Sequence, residues 1–218
     1  ERDLRIVVGD EIALTPPMGW NSWNCWARDV TQEQILSSAR AMVEKGLADH
    51  GWSYINIDDG WQGRRGGRYN AIQPNKKFPD MAALTREIHD MGLRVGIYST
   101  PWIGTYAAHI GSYSDRPDGE NEWIEKGLHN ENYRYQKPGG NYWEDRCEVW
   151  HHGPYSFVEA DVKQWAEWGI DYLKYDWHPL NYYHVREMFD MLRKIDRDII
   201  FSLSNSAPYG DAPVWQRY

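Results

Sequence analysis

One arrangement recurs along this chain and limits its fold more than any single residue: an amphipathic helix, a glycine, a short apolar strand, then a polar cluster. The first helix opens at Thr31 with Gln34 three residues on, a pair that satisfies backbone donors otherwise orphaned at a helix start. Ile35, Ala39, Met42, Val43 and Leu47 follow at helical spacing, Gly51 lies past the end, and residues 54–57 form a strand running into Asp58-Asp59-Gly60-Trp61. A second helix over residues 80–91 turns Met81, Leu84, Ile88 and Met91 inward, and Gly92 precedes a strand at 94–98. The third helix has Ser156 and Glu159 as its capping pair and Val158, Val162 and Trp165 on its inner face; Gly169 separates it from a strand at 172–176. The fourth carries Val185, Met188 and Leu192 and leads to a strand at 199–203, and an early strand near residues 18–20 makes five.

Strands alternating with helices pair in parallel through right-handed crossovers, and α/β folds place their sites at strand C-terminal ends, where the polar clusters fall. A doubly wound sheet gives the same alternation, but no phosphate-cradling glycine turn follows the first strand. The fold class expected is therefore α/β, a (β/α)8 barrel present as about five βα units. A length of 218 residues fits one such domain, 1–218. The chain lacks an initiator Met and a signal-peptide stretch, and it stops without a closing helix. It reads as a segment of a longer protein, truncated at its C-terminal end. Residues 100–154 make a long connection rich in glycine and aromatics, including Pro138-Gly139-Gly140-Asn141-Tyr142-Trp143, and it should wall the site.

A formal charge of −8 without a basic run argues against nucleic acid and anionic membrane surfaces, which need a cationic footprint. No apolar stretch approaches a membrane span. Two cysteines, Cys25 and Cys147, leave pairing open and exclude a cysteine-rich framework.

Asp58-Asp59 ends an apolar strand. Alone it reads as a helix cap or solvated turn. The adjacent Gly60-Trp61 shifts it toward function, because carboxylates accept hydrogen bonds from sugar hydroxyls and a flat ring covers the apolar sugar face. Strand period puts Tyr172, Lys174 and Asp176 on one face, with Leu173 and Tyr175 on the other. A lysine beside an aspartate holds it ionised, which suits nucleophilic attack; the alternative is a structural ion pair. Asp58, Asp59, Asp176 and His178 would suit an oxygen-bound metal if they converged, but Lys174 stands where the cation would go and no metal-binding His spacing occurs. His151 and His152 read as rim residues. Trp20, Trp23, Trp26, Trp61 and Trp102 all fall near strand ends, more rings than packing alone explains. No serine-hydrolase elbow is present.

Residues 15–23 (Thr-Pro-Pro-Met-Gly-Trp-Asn-Ser-Trp), then 54–61 (Tyr-Ile-Asn-Ile-Asp-Asp-Gly-Trp), Gly96-Ile97-Tyr98 and Tyr172-Leu173-Lys174-Tyr175-Asp176 resemble glycoside hydrolase family 27, the α-galactosidase or melibiase family, in order and spacing over nearly the whole chain. The resemblance implies a catalytic barrel acting on terminal α-galactosides by a retaining two-carboxylate mechanism, with no cofactor. It makes Asp176 the nucleophile and Lys174 a contact to sugar hydroxyls. Asp58 and Asp59 become the pair holding the 4- and 6-hydroxyls, Trp23 the ring stacked on the sugar, and Tyr98 the tyrosine of the third strand.

Three departures qualify it. The family's disulfide after the nucleophile is missing, since Trp177-His178-Pro179 follows. The loop after the fifth strand reads Ser204-Asn205-Ser206 instead of Cys-Glu-Trp, leaving preference at the sugar 2-position open. The family's acid/base Asp belongs to a sixth strand, and the sequence stops at Tyr218 before it, with Asp211 the one carboxylate in the final loop. The segment alone is expected to be nearly inactive. β-L-Arabinopyranosidase, α-N-acetylgalactosaminidase and a non-catalytic galactose-binding protein remain as alternatives. Both acids of the pair being Asp leaves room for a 6-hydroxymethyl and favours galactose. Enzymes of this type are often exported, so a secreted or periplasmic setting is expected.

Overall fold

A computed structural model describes residues 16–120, 149–204 and 209–215. Five parallel strands form a half-barrel in sequence order: β1 (Gly19–Asn21), β2 (Tyr54–Asn56), β5 (Arg94–Ser99), β8 (Tyr172–Asp176) and β9 (Ile200–Ser204). Four helices fill the crossovers: α2 (Gln32–Glu44), α3 (Met81–Asp90), α4 (Val158–Trp168) and α5 (Tyr182–Leu192). Short helices α1 (Trp23–Trp26) and α6 (Ala212–Trp215) follow β1 and β9. Among the described residues, two hairpins project from strand ends, β3–β4 (Gln62–Gly66 with Ala71–Pro74) and β6–β7 (Tyr113–Ser114 with Tyr155–Ser156). Neither pairing is expected from apolar alternation, because β3 is polar and glycine-rich and β6–β7 joins a segment inside the long connection to residues just past its end.

Local chemistry sets the helix starts. Thr31 and Gln34 form the expected reciprocal cap of α2, while Asp80 and Asn181 each accept a backbone N–H of α3 and α5. The expected Ser156–Glu159 cap of α4 does not form. Ser156 is held in β7 and its hydroxyl donates to Glu187 at 2.6 Å, while Glu159 pairs with Lys163, so Phe157 caps the helix without a side-chain bond. On α2 the buried stripe is Ile35, Leu36, Ala39 and Met42; Val43 and Leu47 are exposed, Leu47 because the helix stops at Glu44 and its spacing no longer applies.

Strand alternation holds as expected. Ile55, Ile97, Leu173 and Tyr175 are buried in one core with Ile88, Trp165 and Val185 of the covering helices, each such side chain contributing about 1.5–3 kcal/mol by leaving water. The opposite face carries Asn56, Gly96, Tyr98, Lys174 and Asp176. Gly96 is required there: a Cβ would stand 1.9 Å from Asn56 Oδ1 of the paired strand.

Candidate active site

The site grows from the C-terminal ends of β1, β2, β5 and β8. Asp58 is buried two residues past β2, and its backbone N–H donates to Ser22 Oγ at 3.0 Å. Asp58 Oδ1 accepts from Asp59 N at 2.9 Å, and Oδ2 accepts from Asn21 Nδ2 at 2.7 Å and from Lys174 Nζ at 2.9 Å. Lys174 Nζ stands farther from Asp176, 4.0 Å from Oδ2, so the lysine serves chiefly Asp58 and not its strand neighbour as expected. Asp176 Oδ2 accepts from Tyr98 OH at 3.2 Å, and Ser204, its ladder partner on β9, supplies a further hydroxyl bond.

These contacts set the protonation states. Burial raises Asp176 above the usual carboxylate range, against Lys174 and Tyr98, which favour the charged form, and with Asp58 adding to the rise. Burial alone would lower Lys174, but Asp58, with help from Asp176 and Asp59, outweighs it and the ammonium is held above its ordinary range. Burial and the neighbouring carboxylates push Tyr98 well up, so it stays a neutral donor.

Asp59 differs from its neighbour. Thr105 Oγ1 donates to Oδ1 and Ala107 N to Oδ2, both at 2.7 Å. Burial pushes its pKa up to about 7 despite these two bonds. Sequence reading missed Asn21, Ser22, Thr105 and Ala107. Asn21 and Ser22 stand inside the motif around Trp23 and could have been suspected; nothing local marks Thr105 or Ala107.

Trp23 opens α1, half-buried, with its N–H bonded to Asn21 Oδ1 at 2.9 Å. The five-tryptophan face does not form. Trp61 is fully buried, bonded to Tyr98 O at 2.9 Å and edge-on to Trp168. Trp102 packs on Tyr106 and Trp150, and Trp26 faces solvent. Trp177, after Asp176, is buried against Tyr175. His151 pairs with Asp115 and His152 stacks on His184. Among the described residues no three His, Cys, Asp or Glu side chains gather as a metal site requires. Asp211 sits in a short turn, Tyr209–Asp211. Cys25 is exposed, and Cys147, Asn205 and residues 138–143 lie outside the described residues.

The result is a cluster of three carboxylates, one ammonium and one phenol at the strand ends. The surplus of acceptors suits a ligand rich in hydroxyl donors, and Asp176 is the acid whose partners leave it beside, not bonded to, the cation.

The family model for α-galactosidase A matches residues 15–122. α-Galactosidase A of Cellvibrio japonicus is 33% identical over 95% of this chain and 41% of its own length. Among solved structures, α-galactosidase I of Mortierella vinacea matches at 29% identity and a TM-score of 0.65, covering 91% of this chain and 42% of its own. The α-galactosidase of Saccharomyces cerevisiae, solved with raffinose, matches at 25% identity and a TM-score of 0.63, covering 89% and 36%. The chain thus spans about 40% of the length of such relatives, and its half-barrel is part of the TIM barrel they share. The chain belongs to glycoside hydrolase family 27, the α-galactosidase family.

Proposed function

We propose that this chain forms the sugar-holding half of a retaining exo-glycosidase that removes terminal α-galactosyl groups. The observation that carries the proposal is Asp176, at a strand end, with Tyr98 on one oxygen and Lys174 within 4.0 Å, beside the Asp58–Lys174 pair. Asp176 attacks the anomeric carbon as the leaving oxygen takes a proton, forming a glycosyl–aspartyl ester that water then hydrolyses. Tyr98 donates to Asp176 and, as the carboxylate charge is consumed, keeps the oxygen aimed. Lys174 and Asp58 receive neighbouring sugar hydroxyls, Asp59 a further one, and Trp23 covers the sugar's apolar face. Ser204, bonded to Asp176, stands for the region near the 2-hydroxyl.

A retaining mechanism needs a second carboxyl ~5–5.5 Å from the first, protonated at the start. Asp59 holds a proton to about pH 7, but both its oxygens are engaged by Thr105 and Ala107. We assign the acid to the part of the relatives' length that this chain does not span. Binding of raffinose by the yeast relative supports galactosides as the substrate class. Hydrolysis of aryl α-galactoside, aryl α-N-acetylgalactosaminide and aryl β-L-arabinopyranoside by the full-length protein tests the reading. A clear preference for either of the last two overturns the galactosidase assignment. Turnover by residues 1–218 alone at the full-length rate overturns the division of labour.

A further inference from the structure

Arg65 lies on β3, in the hairpin that follows Asp58 and Asp59, with its side chain 2% exposed. Its Nη1 and Nη2 donate to Oδ1 and Oδ2 of Asp161 on α4 at 2.7 and 3.2 Å. Asp161, fully buried, also accepts from Ile72 N of β4 at 2.9 Å, and the Phe157 ring covers the guanidinium at 4.2 Å. The remaining bond reaches toward the site: Nη2 donates to Gly111 O at 2.7 Å.

Gly111 closes a tight loop. Gly104 and Ile110 form a bridge, Thr105 N donates to His109 O at 2.7 Å, and Gly111 N donates to Ile103 O at 3.0 Å. There is no slack at its base, where a Cβ on Gly111 would stand 2.1 Å from Trp102 O. This is the loop that supplies Thr105 Oγ1 and Ala107 N, one to each oxygen of Asp59.

We propose that Arg65 and Asp161 are positioning residues for the site: by holding Gly111 they fix the loop whose Thr105 and Ala107 orient the Asp59 carboxylate. A buried ion pair is often replaceable by apolar side chains without loss of stability, so packing alone does not explain this one. An apolar pair could fill the space but could not donate to Gly111. Any effect on turnover rests on the proposed role of Asp59 toward sugar.

The groups facing Asp59 set what loosening would do. Asp58 and Asp176 push its proton affinity up, Lys174 and Lys77 are the cations that feel its charge, Tyr98 stays neutral, and Thr105 and Ala107 hold its pKa down. Releasing the loop removes the last two influences, so the Asp59 pKa rises further from about 7.

The test uses the full-length protein, with Arg65→Met, Thr105→Val, the two together, and Arg65→Met/Asp161→Leu. The side-chain carboxyl of Asp59 is titrated by carbon NMR, and KM and kcat are measured with an aryl α-galactoside. Arg65→Met and Thr105→Val should each raise the Asp59 titration by about half a pH unit or more. They should also raise KM roughly fivefold or more with a smaller change in kcat, and the double variant should be little worse than either, since both break one linkage. Arg65→Met/Asp161→Leu, which guards against misfolding from an uncompensated buried acid, should recover the melting temperature but not the Asp59 titration. A lowered melting temperature with titration unchanged, or fully additive effects of Arg65→Met and Thr105→Val, overturns the proposal. A shifted titration with unchanged KM upholds the positioning and removes Asp59 from the sugar contacts.

Discussion

The two ends of β8 hold ion pairs built from the same kinds of residue and differ in their charge balance. At its N-terminal end Asp171 accepts from Arg197 at 2.6 Å and from Val95 N at 2.8 Å, and meets His89 at 2.7 Å. Arg197 also donates through Nε to Ile170 O and through Nη2 to Gly169 O. One carboxylate faces one guanidinium and one imidazole, and the cluster closes on itself. At the C-terminal end three carboxylates, Asp58, Asp59 and Asp176, face two ammonium groups: Lys174, on which all three act, and Lys77, which feels Asp59. Forming an ion pair therefore does not mark the working end of a strand. An excess of buried acceptors over donors does, because those lone pairs call for hydroxyl groups that the protein itself does not supply.

Four measurements would sharpen or break that contrast. The largest effect is expected for Asp176→Ala in the full-length protein, a loss of turnover of about a thousandfold or more, or ~4 kcal/mol of barrier, with folding intact. Residual activity above a thousandth of wild type would remove Asp176 as the nucleophile. Next comes the pH dependence of stability. Asp59 has a pKa of about 7 when folded and an ordinary value of ~3.9 unfolded, so the folded state binds its proton more tightly. Its contribution is complete below about pH 4 and fades as pH rises to about 7, some 3 kcal/mol of it between pH 5 and 8. Asp59→Asn should flatten that decline in denaturant titrations; an unchanged slope would show that the buried carboxyl is not the cause.

At the balanced end, Asp171→Asn should cost about 2 kcal/mol of stability, the scale of a hydrogen bond to a charged group, while leaving kcat/KM within about twofold. A large kinetic effect there would erase the distinction between the ends. Smallest, Lys174→Met should raise KM about tenfold, ~1.4 kcal/mol. It should also move the acidic limb of the kcat/KM profile to higher pH, because removing the cation takes away an influence that favours ionised Asp176. A profile that stays in place would show the ammonium to serve Asp58 alone.

Much of this was legible in the sequence, and for identifiable reasons. The helix start at Thr31 rests on a side chain three positions from the N–H group it satisfies; Asp80 and Asn181 cap α3 and α5 in the same local way, though sequence reading missed both as caps. Ser156 looked like half of another reciprocal pair, but its hydroxyl donates to Glu187, 31 positions away, and accepts only a longer 3.3 Å bond from Val158 N, while Glu159 turns to Lys163. Tryptophan count misled in the same way. Trp61 and Trp102 lie near strand ends, yet their burial depends on Trp168, Tyr106 and Trp150, which local spacing does not bring together.

Backbone periodicity determined, from sequence alone, that strands alternate with helices in parallel and that Lys174 and Asp176 share a face, since neighbouring dihedrals dictate where each side chain points. Motif chemistry singled out Asp58 and Asp59, and the family resemblance added Tyr98. Only the tertiary structure decided the partners: Lys174 with Asp58 across 116 positions, Thr105 with Asp59 across 46, Arg65 with Asp161 across 96. Those choices depend on how the sheet curls and how the loops close over its edge, and the free energy that selects them belongs to contacts among distant segments.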